Sequence, residues 1–161
     1  HCNIIIKPHF FSLTKKKYQH QQQLLTRWAV REHVYLAPVS DYNLVPFMAL
    51  ADVMISDASS AIFEFFALQK PVVWCNFYKL RWSYRGPFSY RFRNRLDADI
   101  EYFDSLCFRV DKAKDVAENI HYALSEPLAK HNKQTQQIIT KLAGKLDGSS
   151  SQRIVSFLYD N

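Results

Sequence analysis

The sequence predicts an α/β protein built on a doubly wound parallel sheet, and three observations lead there. Short runs rich in valine and isoleucine alternate with longer stretches at helical spacing. The apolar runs are bounded by proline, aspartate or asparagine, as buried strands of a parallel sheet are. The chain has 161 residues, 48% of them hydrophobic, which suits one core and a single domain over 1–161.

In order, Asn3–Lys7 (N-I-I-I-K) is a β-branched run ended by Pro8. Lys15–Arg31 reads as a helix with Leu24, Leu25 and Trp28 at helical spacing. Val34–Ala37 is a second strand stopped by Pro38, and Asn43–Ala51 places Leu44, Phe47, Met48 and Ala51 on one helical face. Asp52–Ser56 is a third strand, Ser59–Gln69 a helix with a hydroxyl cap, and Lys70–Asn76 (K-P-V-V-W-C-N) a fourth strand. Phe77–Asp104 lacks a sustained period and reads as a basic, aromatic loop insert with turns around Gly86-Pro87. Leu106–Val110 is a fifth strand, and Asp111 is expected to cap a helix carrying Val116, Ile120 and Ala123. Further helices are expected over Leu128–Leu146 and from Ser150 to about Tyr159.

Composition removes several functions. The three glycines, Gly86, Gly144 and Gly148, are isolated, so no glycine-rich dinucleotide fingerprint or phosphate loop is present. No apolar run approaches the roughly 20 residues that span a bilayer. Cys2, Cys75 and Cys107 form no C-x-x-C pair and no disulfide framework. The six histidines show no metal-ligand spacing and no D-x-D motif occurs, so neither a metal nor another cofactor is expected. Net charge is +6, from 21 basic and 15 acidic residues. Lys79, Arg81, Arg85, Arg91, Arg93 and Arg95 lie in one acid-free segment interleaved with Trp82, Tyr84, Phe88, Tyr90 and Phe92. That segment invites an anion: a sugar nucleotide beneath a flap, a polymer, a nucleic acid or an anionic membrane. It equally fits a solvated loop with its aromatics packed underneath.

Ligands of doubly wound sheets bind beyond the carboxyl ends of the strands. Three stretches should lie there: Lys7-Pro8-His9, Pro38–Asn43 and Ser56-Asp57-Ala58-Ser59-Ser60. In the third, two serines open a helix whose first N–H groups could receive an anion. Glu64, one turn on, could accept hydrogen bonds from a ribose or polyol. Plain helix capping by Asp57 or Ser59, and a solvated Glu64, account for the same pattern. His9 directly follows a strand, as a phosphate donor, an acid/base or a structural residue.

The stretch Asp52–Glu64, D-V-M-I-S-D-A-S-S-A-I-F-E, resembles the D-x-L-I-[ST]-D-Y-S-S-x-x-F-[DE] signature of CDP-glycerol glycerophosphotransferases. Those enzymes build the polyol-phosphate chains of teichoic acids and capsules. Lys7-Pro8-His9 resembles the family's K-x-H segment, Lys70–Val73 its K-P-V strand, and Asp147–Arg153 its D-G-x-[SA]-x-R helix start. Ala58 stands where the family has Tyr, and Glu64 where Asp is commoner. The resemblance implies the C-terminal, Rossmann-like, nucleotide-binding half of a GT-B fold, with the N-terminal acceptor domain outside this chain.

It also implies the roles. Ser59 and Ser60 would hold the donor pyrophosphate with Asp57 beside them, Glu64 would take the family's acidic role, and Lys7 would flank the catalytic histidine, His9. Ser40 would lie beside the nucleotide base, and Arg85 would match the family's Arg-Gly loop. The implied reaction is metal-independent transfer of glycerol phosphate, or a similar polyol phosphate, from a CDP-activated donor to a cell-surface polymer or lipid-linked acceptor. The isolated domain would turn over little. The implied location is cytoplasmic, peripheral on the inner membrane face. The alternatives are a sugar-nucleotide GT-B glycosyltransferase and a non-catalytic module for anionic polymer or nucleic acid, although nucleic acid is not the expected partner.

Overall fold

The computed structural model describes residues 2–9, 12, 14–77, 86–90 and 98–159. These gather into two compact units, residues 1–51 and 52–161. All strand pairs among the described residues are parallel, as expected of this α/β class.

In the first unit β1 (Ile4–Ile6) pairs with β2 (Val34–Leu36) in the register Ile4↔Val34 to Ile6↔Leu36. The ladder continues one step, with the Ala37 N–H donating to the Ile6 carbonyl at 2.9 Å. The Lys15–Arg31 helix arrives as a 3-10 turn, Lys16–Tyr18, followed by α1 (Gln19–Ala29), which packs on β2 and has no fully buried residue. α2 (Val45–Leu50) starts with Pro46, whose missing N–H costs nothing in a first turn, and the Asn43 side chain accepts the Val45 N–H at 3.0 Å. Ala37 and Met48 are the buried residues among those described in this unit.

The second unit carries β3 (Met54–Ser56), β4 (Val72–Cys75) and β5 (Phe108–Val110) in the order β3-β4-β5. Val72, Val73 and Trp74 are all buried, so β4 is covered on both faces. Its continuous apolar sequence is what that position requires. On one face Val73, Phe108, Val110 and Ala123 form a cluster completed by Val53, Val116 and Ile120. Ala123, Val116 and Ile120 come from α5 (Val116–Ser125), which packs on β4 and β5. On the other face the Trp74 ring meets Phe103 edge-on at 5.3 Å, and Phe103 also contacts Phe63 at 5.3 Å.

Several boundaries differ from those read in the sequence. Ser59–Gln69 is helical only over α3 (Ala61–Ala67); Gln69, at φ 59°, is in the left-handed region that ends helices. The end of the expected loop insert is helical: a 3-10 turn, Ala98–Tyr102, leads into α4 (Phe103–Leu106), where burial of Phe103 and Leu106 supplies the driving force. A further 3-10 turn covers Gly86–Phe88, while 78–85 and 91–97 of the insert lie outside the described residues.

Asp111 does not cap α5. Extended Lys112 and a 3-10 turn, Ala113–Asp115, separate it from that helix, and its carboxylate is taken by Asn76 and Arg109. The helix expected over Leu128–Leu146 is α6 (Lys133–Ala143), because a capping box starts it at Asn132. The Asn132 side chain accepts the N–H groups of Gln134 and Thr135 at 3.0 and 3.1 Å, and the Thr135 hydroxyl accepts the Asn132 N–H at 2.9 Å. The last helix, α7 (Ser150–Tyr159), forms as expected. Asp147 accepts the Ser149 N–H at 3.0 Å and pairs with Arg153 at 2.8 Å, so the D-G-x-S-x-x-R stretch locks the helix start.

His131 ties α6 to the core of this unit. Its ring stacks on Phe66 at 4.0 Å and 13°, and its Nε2 is buried with no partner. Burial holds its pKa below the ordinary histidine value, against a hydrogen bond with the Lys70 main chain that works the other way. The folded state therefore binds fewer protons than the unfolded chain, so stability present at neutral pH is lost as pH falls below about 6.5. Denaturant midpoints at pH 7.5 and 5.5 should show that loss, and His131→Phe should flatten it. An equal pH dependence in the variant would assign the loss to other groups.

Candidate functional site

The parallel registers bring the carboxyl ends of the three strands in the second unit to one edge. Ser56 pairs with Trp74 and Cys75 with Val110, so Asp57 comes level with Cys75, and Asn76, one residue further on, comes level with Asp111. Asp57 is exposed, Ser59 half-buried, and Ser60 and Glu64 exposed, with Glu64 in the first turn of α3. The Ser59 Oγ accepts the Ala61 N–H at 3.3 Å, so the capping role is filled by Ser59. The Ser60 hydroxyl makes no cap hydrogen bond and faces solvent. With only seven residues in α3, the turn's own hydroxyls and amides, more than a long helix dipole, make this edge a donor surface.

Sequence reasoning missed Asn76 and misplaced Asp111. The Asn76 N–H donates to the Val110 carbonyl at 2.8 Å, and its Nδ2 donates to Asp111 Oδ1 at 3.0 Å. Arg109 donates from Nε to the same oxygen at 2.9 Å, pairs with Asp104 at 3.1 Å, and lies 5.3 Å over the Trp74 ring. Hydrogen bonds from Asn76, then Arg109, hold the Asp111 carboxyl below the usual carboxylate range. Arg109 is thus already neutralised, and the edge carries fixed hydrogen-bonding groups beside the serine turn. Their position one residue past a strand was the available signal.

In the first unit Lys7-Pro8-His9 follows β1 and Pro38–Ser40 follows β2, at the same edge of that ladder. Lys7 is half-buried, and His9 and Ser40 are exposed. The His9 carbonyl accepts the Ser12 N–H at 2.8 Å, and the Pro38 carbonyl accepts that of Asp41 at 3.1 Å, so both stretches turn back directly after their strands. Lys7, His9 and Ser40 thus share one unit, and Asp57, Ser59, Ser60 and Glu64 the other. Arg85 lies outside the described residues.

Cys75 ends β4 at this edge. Burial first, and the Asp57 carboxylate second, raise its thiol pKa. The Cys107 thiol is pushed up to about 12 by burial, with Lys130 opposing and Asp104 adding to the shift. Alkylation of the folded protein at pH 8 should therefore modify exposed Cys2 first, Cys75 more slowly and Cys107 not at all. Mass spectrometry of the labelled peptides checks the order; Cys107 reacting as fast as Cys2 would contradict it.

Parallel strands joined through helices, with a hydroxyl-bearing turn at their carboxyl edge, define a Rossmann-like α/β protein. The chain belongs to the CDP-glycerol:poly(glycerophosphate) glycerophosphotransferase family, whose model matches residues 2–160. No curated protein and no solved structure matches it. Among the described residues no three His, Cys, Asp or Glu side chains gather as a metal site requires. No helix among them is long and apolar enough to cross a membrane.

Proposed function

We propose that this chain is the C-terminal, donor-binding part of a GT-B transferase that moves glycerol phosphate, or a closely similar polyol phosphate, from a CDP-activated donor to a growing anionic polymer. The observation that carries the reading is the Asp57–Ser60 turn. It stands at the carboxyl edge of a parallel sheet, with an exposed Ser60 hydroxyl, in a chain of a glycerophosphotransferase family. The Ser59 and Ser60 hydroxyls and the turn's amides bind the donor diphosphate. Glu64 and the Asn76–Asp111 pair accept from, and donate to, sugar and polyol hydroxyls. Ser40 borders the base, Lys7 and His9 act on the transferred phosphate, and Arg85 contributes from the basic segment.

In the reaction an acceptor hydroxyl oxygen attacks the donor's β-phosphorus. The new P–O ester bond forms as the bond from that phosphorus to the bridging oxygen breaks, and CMP leaves with the electron pair. The hydroxyl proton passes to a base or to water. Charge gathers on the non-bridging oxygens, which hydroxyl and amide donors fixed beforehand stabilise without reorganisation. The reaction as proposed uses no metal. The enzyme works at the cytoplasmic face of the membrane, drawn there in part by the basic segment 79–95.

Product analysis tests this. The whole enzyme given CDP-glycerol and a primed acceptor should release CMP as the acceptor mass grows by one glycerol phosphate per turnover. Release of UDP or CDP from a sugar nucleotide instead would make it a glycosyltransferase. Polymer or nucleic-acid binding with no nucleotide turnover would make it a binding module.

A further inference from the structure

We infer that the outer stripe of α1 and the lysine turn before it form a contact face for an anionic bilayer. The assignment adds a second surface to the basic segment 79–95 and rests on the membrane-side transferase reading above. Residues 1–31 contain Lys7, Lys15, Lys16, Lys17, Arg27 and Arg31 and no acid; Glu32 is the first. Among the described residues Lys16, Lys17, Arg27 and Arg31 form no ion pair. Half-buried Gln22, Leu25 and Ala29 mark the side of α1 that lies on β2. Away from it His20, Leu24, Arg27 and Trp28 recur at i, i+4, i+7 and i+8, a stripe about 100° wide at 3.6 residues per turn. Arg31 continues the stripe just past the helix end, 4.6 Å over the Trp28 ring. Leu24 is 40% and Trp28 49% exposed, and with Arg27 and Arg31 they line one small recess.

Folding explains neither half of this face. Three lysines precede the N-terminus of α1, and its first turn holds no acid, so the helix dipole opposes all three. A leucine and a tryptophan one turn apart gain little from burial while they stand in water. Contact with a surface that is both apolar and negative removes both penalties.

That pairing of needs selects the partner. In an anionic bilayer Leu24 and Trp28 enter the boundary between headgroups and acyl chains, where the indole ring and its N–H are both accommodated. Lys16, Lys17, Arg27 and Arg31 meet the lipid phosphates, their stems lying along the apolar side chains. A soluble polyanion would answer the cations and leave Leu24 in water. A second copy of this chain would cover the apolar pair and set Arg27 and Arg31 against their own kind. With two apolar anchors the contact is shallow and reversible.

The test is co-sedimentation of the whole enzyme with vesicles of phosphatidylglycerol and phosphatidylcholine, with polyphosphate binding and CDP-glycerol turnover measured in parallel. Wild type should prefer these vesicles to phosphatidylcholine alone, and salt should release it. Arg27→Gln with Arg31→Gln should weaken vesicle binding about 25-fold, at about fivefold for each charge near an anionic surface. Leu24→Ser with Trp28→Ser should weaken it about tenfold and leave polyphosphate affinity unchanged, which a face for soluble polyanions would not do. Parental vesicle affinity in either variant overturns the assignment, as do equal binding to neutral vesicles and no wild-type binding. A serine pair that lowers polyphosphate affinity as much as vesicle affinity makes this a polyanion face and overturns it too. If that pair does not fold by circular dichroism, wild-type emission decides: brominated lipid should quench a component that Trp28→Phe removes, and equal quenching in both is the contrary result. Vesicle binding without CDP-glycerol turnover sinks the transferase reading and leaves this face assigned; turnover without vesicle binding does the reverse.

Discussion

Ser59→Ala combined with Ser60→Ala in the whole enzyme is expected to lower kcat/KM for CDP-glycerol on the order of 100-fold, the scale seen when fixed donors to a developing oxyanion are removed. The two hydroxyls do different jobs. Ser59 spends its oxygen on the Ala61 N–H at 3.3 Å and so shapes the turn, whereas Ser60 makes no cap bond and is open to solvent. Ser60→Ala alone should therefore carry most of the kinetic loss with an unchanged melting temperature. Ser59→Ala should also cost about 1 kcal/mol of stability through the lost cap. Steady-state kinetics with a melting curve for each variant separates the two. Parental donor affinity and turnover in the double variant would end the assignment of this turn to the diphosphate.

Phe65→Ala is expected to destabilise the second unit by about 3–5 kcal/mol, the usual cost of emptying an aromatic site in a packed core. Phe65 is only 1% exposed and points inward from α3, the helix that fixes the serine turn. Against a total stability of about 5–15 kcal/mol, the loss is a large fraction, and donor binding should fall with it. Phe65→Leu, which keeps most of the volume, should cost about 1.5 kcal/mol or less. Urea unfolding with both variants checks this. A Phe65→Ala midpoint equal to wild type would mean that the site does not depend on this packing.

What could be read from the residues was whatever depends on local pattern. Lys70–Asn76 announces β4 because a strand buried on both faces needs an uninterrupted apolar run, and Val72, Val73 and Trp74 supply it. Ser150–Tyr159 announces α7 because a hydroxyl and a periodic apolar face suffice for a helix. The failures share a cause, which is a partner distant in sequence or a competing local signal. Asp111 looks like a cap, but its carboxylate belongs to Asn76, thirty-five residues earlier, across the β4–β5 ladder. α6 starts at Lys133, not Leu128, because the Asn132–Thr135 box outweighs the apolar residues ahead of it.

The site divides the same way. The places of Lys7, His9 and Ser40 after strands of the first unit, and of Asp57 and Ser59 after a strand of the second, were legible because residues that follow strands of a parallel sheet stand at its carboxyl edge. Asn76 stands one residue past β4 as well, but only the pairing of Cys75 with Val110 sets it beside Asp111.

Nuclear magnetic resonance of the ¹⁵N-labelled protein during a CDP-glycerol titration tests the central claim most directly. Saturable shifts of the amides of Ala58, Ser59, Ser60, Asn76 and Asp111 are the predicted result. Saturable shifts confined to other surfaces, with those five amides unmoved, would contradict it.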